Sequence, residues 1–265
     1  MIVRDEEAVL ARCLNSVAGV ADELVVVDTG STDATRSIAW EHGATVLEHG
    51  FDPVDFAAAR NAGQDRARGD LVLVLDADET LASPEVARLL AEKPQNVGYI
   101  VTRRNNAPGK TWFDHAVRLF PRRAEYRYRY RVHETIDDSI LAAGGRIQRS
   151  EIVLDHHLTG EPESRAKALR YLALLAEEDS DDPDRLVFLA AEYHKLERYA
   201  DATAVAERVA ELSPADFTAQ FNAALYHHFF ARDAGRARAD LRQALSLRPT
   251  DPEALALLAE VDAVA

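Results

Sequence analysis

Short apolar segments alternate with helical patterns in the first 80 residues, and this alternation limits the fold more than any other feature. Residues 24–27, 44–47 and 71–75 are almost entirely apolar, whereas residues 34–42 and 56–68 carry helical signals. Strands that are apolar at nearly every position are buried on both faces, as in a parallel sheet covered by helices. We therefore predict an α/β domain built on a parallel sheet.

The third apolar segment, residues 71–75, ends in two carboxylates, Asp76 and Asp78. In open α/β sheets the ligand crevice lies just beyond the carboxyl ends of the strands. Two oxygen donors at that position suit a divalent cation, and a cation there suits a diphosphate. The same Asp-x-Asp pattern recurs within residues 179–184, in a polar stretch with a proline that indicates a turn and a helix cap. Only the strand-terminal copy therefore has a chemical context.

The charge distribution limits the classes of partner. A formal net charge of -14 argues against nucleic acid as a partner, because phosphate contacts need a basic surface. Within this acidic chain, residues 103–131 hold nine basic and two acidic side chains. That reversal could bind an anionic group of a substrate or form a solvated β-surface, and the sequence leaves both open.

Three further features bear on the location of the protein. The single cysteine, Cys13, excludes an intramolecular disulfide and fits a reducing compartment. No apolar run is long enough to cross a bilayer, and no signal-peptide pattern precedes the first element. We therefore expect a cytoplasmic protein without a transmembrane segment.

The tail of the chain contains a repeat. From residue 163 onward the pattern is helical, and several positions between Leu189 and Pro214 recur 35 residues later, ending at Pro249. Small residues at fixed points let two helices pack closely, and proline ends the second helix of a pair. The pattern resembles tetratricopeptide (TPR) repeats, with further helices predicted at residues 165–178 and 252–264.

Four strings in the first part of the chain occur in a specific order. They are MIVRDEE at residues 1–7, VVDTGSTD at 26–33, ARN at 59–61 and LDADE at 75–79. Together they resemble family 2 glycosyltransferases, in particular a subgroup with a TPR-type helical tail. The resemblance implies a GT-A fold, which is a Rossmann-like nucleotide-diphospho-sugar transferase domain, over residues 1–160. An all-α, TPR-like domain would then follow over residues 161–265.

The same resemblance implies a nucleotide-sugar donor, with UDP-linked donors favoured, a Mn²⁺ or Mg²⁺ ion and usually inversion at the anomeric carbon. The residues that would bind the donor nucleotide are Val3, Asp5, Glu6, Asp28, Arg60, Asn61, Asp76 and Ala77. Among them Asp28 would accept a hydrogen bond from the nucleobase, and Asp76 would face the ribose and metal-bound water. Asp78 would ligate the metal directly. Asp28 could instead only cap the next turn, and Arg60 could only pair with a neighbouring acid.

Candidate groups for the acceptor side follow the basic stretch. His133 and Glu134 resemble the His-Glu pair that follows an Arg-Leu-Phe segment in this subgroup, here residues 118–120. Inverting transfer needs a base near the attacking group, so Glu134 is the predicted catalytic base, with His133 orienting it or contacting the donor. Glu134 could also be an exposed glutamate without a catalytic task. Arg118 and Arg131 would contact an acceptor phosphate or the departing diphosphate.

Two histidines end the last strand before the tail. An imidazole near the carboxylate pair could complete a metal shell of oxygen and nitrogen ligands. The resembling subgroup usually has a histidine followed closely by Gly-Tyr, whereas this chain has HHLTG at residues 156–160. The spacing from Leu154 favours His156 as the metal ligand, with His157 as the alternative.

The partners of this chain stay partly open at this level. The acceptor could be a saccharide, a peptide, a lipid-linked molecule or a small molecule, and the tail could form a homodimer or bind a peptide. The first strand would be three residues long, so that either translation starts upstream or the strand is truncated, and nucleotide binding could suffer. The alternative function is therefore a catalytically weak or inactive domain that serves as a TPR-mediated scaffold.

Overall fold

The chain folds into two compact units, Met1–Glu161 and Pro162–Ala265. The computed structural model describes residues 1–82, 85–92, 94–158 and 165–264. The predicted domain boundary at residues 160 and 161 falls outside the described residues.

A parallel sheet with strand order β1-β2-β3 forms the start of the first unit. Its strands are β1 (Ile2–Val3), β2 (Val25–Asp28) and β3 (Thr45–Glu48), and they alternate with helices α1 (Leu10–Ser16), α2 (Thr35–Glu41) and α3 (Phe56–Arg66). Val3, Val26 and Val27 are at most 2% exposed, as expected for strands covered on both faces. The predicted alternation of strands and helices is confirmed over this region.

A second, mixed sheet of five strands completes the first unit, in the order β4-β7-β6-β8-β5. Its elements are β4 (Leu71–Leu73), β5 (Glu79–Leu81), α4 (Glu85–Glu92), β6 (Val97–Ala107), β7 (Lys110–Pro121), α5 (Asp137–Ala142) and β8 (Arg146–His157). Strands β6 and β8 are parallel, whereas the other three pairings are antiparallel.

The position of β4 corrects the prediction of one continuous parallel sheet. This strand pairs antiparallel with β7, with Val72 opposite Phe120. Within the described residues, no strand pairing joins β4 to β1. Strand β1 is two residues long and offers little backbone to a neighbour, whereas β7 presents a longer edge. A cavity of about 320 Å³, lined in part by Met1, Leu71 and Phe120, lies beside β1, β4 and β7.

Most of the basic stretch, residues 103–131, lies in a regular pair of strands. Strands β6 and β7 form a long hairpin around Gly109, whose φ of 76° lies in the left-handed region that glycine adopts readily. Polar and charged residues occupy both faces of this hairpin, for example Arg103 opposite Asp114. The alternation of apolar and polar residues that identifies a strand in sequence is therefore missing.

Two amide side chains of α3 hold the segment that follows β7. The Asn61 side chain accepts a hydrogen bond from the Tyr128 backbone N–H at 2.9 Å and donates one to the Tyr128 carbonyl at 3.0 Å. Gln64 donates to the Tyr126 carbonyl at 2.6 Å. Because His133 and Glu134 follow shortly after, these bonds position the predicted acceptor-side residues relative to α3.

The second unit is helical throughout its described residues, 165–264, and contains the predicted repeat. Its elements are α6 (Arg165–Glu177), α7 (Pro183–Lys195), α8 (Tyr199–Leu212), α9 (Phe217–Tyr226), a π-helical turn (His227–Ala231), α10 (Ala234–Leu247) and α11 (Pro252–Val264). Ala202 in α8 and Ala237 in α10 are 35 residues apart and both fully buried, which confirms the repeat of two helix pairs. Among the described residues, no helix has the length and apolar character needed to span a membrane.

Candidate active site

The end of strand β2 and the loop after β1 form one wall of the candidate site. Asp28 is 2% exposed, and its carboxylate accepts hydrogen bonds from the backbone N–H groups of Gly30 and Ser31 at 3.2–3.3 Å. The loop after β1 is bound to the same turn, because Asp5 accepts from the Thr32 N–H at 2.7 Å. Asp28 therefore caps the turn that follows it, which was the alternative to a nucleobase contact. Its predicted nucleobase contact stays a prediction.

Glu6 lies on this wall beside the two aspartates that follow β4. Its backbone N–H donates to the Thr35 hydroxyl at 2.7 Å. Burial, and after it the negative charges of Asp78 and Asp76, raise the pKa of Glu6 to about 7. Three carboxyl groups from separate parts of the sequence thus share one negative region, which favours a proton or a cation.

The raised pKa of Glu6 has a consequence for stability. Between its ordinary pKa of 4.5 and the raised pKa of about 7, folded Glu6 holds a proton that the unfolded chain has released, so its contribution to the free energy of unfolding falls as pH rises. The variant Glu6→Gln has no titratable group at this position, so it does not lose this stability as pH rises. Urea unfolding at about pH 5 and about pH 8 is expected to show the variant gaining stability relative to the wild type at the higher pH. A difference that is independent of pH would contradict the raised pKa.

Asp76 is held by two buried arginines. Arg60 donates to its Oδ1 at 2.6 Å and Arg118 to its Oδ2 at 3.0 Å. Burial alone would raise the pKa of Asp76, but the charges of Arg118 and Arg60 outweigh it and hold that pKa well below its usual range. The carboxylate is therefore ionised and engaged on both oxygens.

A β-bulge aims Arg118 at this carboxylate. In the pairing of β6 with β7, Ile100 lies opposite Val117 whereas Tyr99 lies opposite Leu119, so Arg118 is the extra residue on β7. A bulge turns a side chain away from the regular alternation of the strand and is common next to active sites. The bulge thus lets a residue of the hairpin reach the end of β4.

Glu79, the residue after the Asp-x-Asp pair, is fully buried beneath it. Its Oε2 accepts from the Asp76 N–H at 2.9 Å, and its Oε1 lies 3.5 Å from both Arg103 and Arg118. Burial raises the pKa of Glu79, with Arg118 opposing that rise. Glu79 ties the backbone of the motif to the arginines of the hairpin.

Glu134 joins the same network through Arg60. Its Oε1 accepts from the Arg60 Nε at 3.0 Å, while the other end of that guanidinium binds Asp76. One guanidinium therefore spans the two carboxylates and places the predicted base close to the Asp-x-Asp motif. The neighbouring His133 has a φ of 51°, a left-handed conformation that residues other than glycine rarely adopt.

Asp78 faces His156 at the end of β8. The distance between Asp78 Oδ2 and His156 Nε2 is 3.0 Å, and Asp78 is partly exposed whereas His156 is largely covered. The sequence left His156 and His157 as alternatives. His157 Nε2 lies 2.9 Å from the Thr80 hydroxyl, so it is His156 that faces Asp78 in the structure.

The partners of His156 determine which of its nitrogens carries a proton. Asp114 is a carboxylate bound by Arg103, so it can only accept the hydrogen bond that Asn105 Nδ2 donates at 2.9 Å. Asn105 Oδ1 must then face His156 Nδ1, at 2.7 Å, and accept a hydrogen bond from its N–H. Nε2 consequently meets Asp78 either as a second N–H or as a lone pair. In the lone-pair form two acceptors face each other, and either a proton or a cation between them would satisfy both.

Not every predicted site residue has a side chain that reaches this network. Asn61 is occupied with Tyr128, and Arg131 donates to the Val54 carbonyl at 3.1 Å. The Val3 carbonyl accepts from Thr29, and Ala77 is buried in the core. The nucleotide contacts predicted for Val3, Asn61 and Ala77, and the phosphate contact predicted for Arg131, stay predictions. Among the described residues, no group of three or more His, Cys, Asp or Glu side chains is arranged to hold a metal.

Sequence reasoning missed four residues that organise the site, namely Glu79, Arg103, Asn105 and Asp114. Glu79 directly follows the Asp-x-Asp pair and could have been found from its place in the motif. Arg103, Asn105 and Asp114 lie on two strands that carry polar residues on both faces, so no period in the sequence distinguished them.

Comparison with known proteins supplies the family. A family model described as "Glycosyl transferase family 2" matches residues 1–156. A "TPR repeat-containing protein" of Synechococcus elongatus is 43% identical over 144 residues, which are 54% of this chain and 36% of that protein. An "Uncharacterized glycosyltransferase" of Rickettsia felis is 27% identical over 152 residues, 53% of each chain. The chain thus spans about half, or less, of the length of these curated relatives.

One solved structure resembles the chain over nearly its whole length. It is TarS of S. aureus, residues 1–349, in complex with UDP-GlcNAc. The TM-score is 0.50 at 14% sequence identity, and the match covers 94% of this chain and 90% of that chain. At this identity the likeness concerns the fold, and it agrees with the α/β domain and helical tail described above.

Proposed function

Because the chain belongs to glycosyl transferase family 2, we propose that its first unit transfers a sugar from a nucleotide-sugar donor to an acceptor hydroxyl. The main support is that Asp78, directly before β5, meets His156 at the end of the neighbouring strand β8, close to the arginine-bound Asp76. Open α/β sheets bind their ligands in the crevice beyond the ends of their strands. Arg60 and Arg118 lie beside it and provide positive charge for an anionic donor.

We propose that Asp78 and His156 hold a Mn²⁺ or Mg²⁺ ion. The support is the network around His156, in which Asn105 Oδ1 accepts the hydrogen bond of Nδ1–H and Nε2 is directed at Asp78. Two protein ligands suffice where diphosphate oxygens and water supply the rest, as is usual for Mg²⁺. When bound, such an ion neutralises the charge that develops on the leaving diphosphate. Asp76, with both oxygens on arginines, is proposed to act on the ribose side.

Asn105 is therefore expected to matter for metal binding although it is not a ligand. Asn105→Ala frees the His156 ring and is expected to weaken Mn²⁺ binding by about 10- to 100-fold, measured by electron paramagnetic resonance of free Mn²⁺ with UDP present. Asn106→Ala is the matched control, because Asn106 lies on the opposite face of β6 and donates to Asp155. Equal Mn²⁺ affinity in the two variants would contradict the role of Asn105.

We propose that the donor is UDP-linked and that transfer inverts the anomeric carbon. UDP is supported by the UDP-GlcNAc complex of the similar S. aureus protein. In this mechanism the acceptor oxygen forms a bond to C1 while the bond from C1 to the diphosphate breaks and its electron pair leaves with the diphosphate. Glu134 takes the proton of the acceptor hydroxyl, and its ion pair with Arg60 keeps it oriented beside Asp76. Arg60 and Arg118 stabilise the departing diphosphate.

The partners and the location of the chain are separate proposals. The acceptor carries a hydroxyl group, and its class stays open at this point. The helical repeats of the second unit provide a surface for a peptide or a second copy of the chain. Cys13 is buried and unpaired with another cysteine, which supports a reducing compartment.

A nucleotide-sugar screen tests the proposed function. The purified chain is incubated with UDP-, GDP-, CDP- and dTDP-sugars, with and without Mn²⁺, and released nucleoside diphosphate is measured. We expect Mn²⁺-dependent release from at least one UDP-sugar. Release that is equal without divalent metal would overturn the proposed metal dependence. Absence of release for every donor would overturn the proposed transfer and favour the scaffold alternative.

A further inference from the structure

One row of side chains crosses the second sheet from the candidate active site to the hairpin. Glu79 on β5 lies opposite His156 on β8, His156 lies opposite Asn105 on β6, and Asn105 lies opposite Trp112 on β7. Residues that are paired across strands project from the same face of a sheet. Trp112 is therefore on the face that carries His156. At about 4.8 Å per strand, its backbone lies about 10 Å from that of His156.

Trp112 is a partly exposed aromatic residue at the outer end of this row. Its exposed fraction is 38%, and the Lys110 ammonium lies 5.3 Å from the ring centroid. The rest of the row is polar and ordered, since Asn105 bridges His156 and Asp114. A flat apolar ring next to fixed hydrogen-bonding groups is the usual composition of a specific binding site.

The neighbouring Phe113 provides a contrast. It is more exposed, at 60%, but it lies opposite Arg104, which pairs with Asp155 on the other face of the sheet. Exposure alone therefore does not distinguish the two rings. What distinguishes Trp112 is that it shares a face and a cross-strand row with the predicted metal ligand.

We propose that Trp112 forms an acceptor subsite that binds a sugar ring of a saccharide acceptor, with the indole stacked against the apolar face of that ring. This inference rests on the proposed function and narrows the acceptor to carbohydrate. The residues predicted to bind the nucleotide include Asp5, Glu6 and Asp28, at the ends of β1 and β2 in the other sheet. A saccharide on Trp112 would therefore approach the anomeric carbon from the side of the second sheet.

The chemistry of the row fits a saccharide better than a lipid chain. A sugar ring presents C–H groups on one face, which suit the indole, and hydroxyl groups around its edge, which suit charged and amide side chains such as Asp114 and Arg103. A lipid chain would gain nothing from the ion pair of Arg103 with Asp114. The indole is rigid, so stacking restricts few rotatable bonds.

Tryptophan fluorescence tests this subsite directly, because the chain contains two tryptophans. In the Trp40→Phe protein the emission reports on Trp112 alone. Maltotriose, cellotriose and chitotriose are titrated in turn with UDP and Mn²⁺ present, and binding is measured in parallel by calorimetry. We expect a saturable change in emission with at least one trisaccharide. Trp112→Ala is expected to lower the affinity for that trisaccharide by about tenfold and to leave the affinity for UDP unchanged. Phe113→Ala is expected to bind the trisaccharide with an affinity close to that of the wild type.

Three results would overturn the subsite. They are no saturable change with any trisaccharide, wild-type trisaccharide affinity in Trp112→Ala, or an equal loss in Phe113→Ala. The UDP titration in the same samples separates this failure from failure of the proposed function. A protein that binds UDP but no saccharide contradicts only the subsite, whereas a protein that binds no nucleotide contradicts the glycosyltransferase proposal.

Discussion

Replacement of Asp78 by asparagine is expected to lower Mn²⁺-dependent turnover of the sugar donor by roughly 10³-fold. Asparagine has nearly the same volume and can still hydrogen-bond to His156, so the fold should be retained. It lacks the negative charge that a divalent ion requires, and the charge stabilisation of the leaving diphosphate is worth several kcal/mol. The measurement is released nucleoside diphosphate at saturating donor, with thermal unfolding as the check on folding.

Asp70→Asn is the matched control for this change. Asp70 is an exposed carboxylate immediately before β4, whereas Asp78 follows the strand, so the control removes the same charge at the other end. Turnover in the control should stay within about twofold of wild type, because it is remote from the ligands. Wild-type turnover in Asp78→Asn would show that Asp78 is not a metal ligand.

Replacement of Glu134 by glutamine is expected to lower sugar transfer by about 10²- to 10³-fold, the usual contribution of a general base. The glutamine oxygen can still accept from Arg60 Nε, so the arrangement of Arg60 and Asp76 should persist. What is lost is the capacity to take a proton from the acceptor. The effect should therefore appear in kcat for transfer, with the KM for the donor nearly unchanged.

The control for this change is Glu125→Gln, an exposed glutamate of the same connecting segment that lies 3.6 Å from Arg123. It removes one charge without touching Arg60. If Glu134→Gln transferred sugar as fast as the Glu125 variant, Glu134 would be a structural partner of Arg60, and the base would have to be another group.

The fold could be predicted from local sequence where local patterns decide it. The strand and helix alternation before residue 70 and the repeats of the tail both depend on periodicity and on small or helix-ending residues. The pairing of β4 with β7 was not accessible, because it depends on which strand edge is available in three dimensions. The hairpin of β6 and β7 was missed because its polar cross-strand pairs carry no apolar period.

Only part of the candidate site could likewise be predicted from local sequence. Asp76, Asp78 and Glu134 could be nominated from motifs, but their partners are distant in sequence. His156 is 78 residues from Asp78, and Arg60 is 74 residues from Glu134. A motif indicates which residue types are present, whereas the network of ion pairs and bridging amides depends on strand register. That register is also what distinguishes His156 from its neighbour.

Metal and nucleoside diphosphate are proposed to bind together beside Asp78. Calorimetric titration of UDP into the wild-type chain, with and without Mn²⁺, measures this coupling. We expect Mn²⁺ to strengthen UDP binding by about tenfold or more in the wild type and to leave UDP binding nearly unchanged in Asp78→Asn. UDP binding that is insensitive to Mn²⁺ in the wild type, or equally enhanced by Mn²⁺ in both proteins, would contradict it.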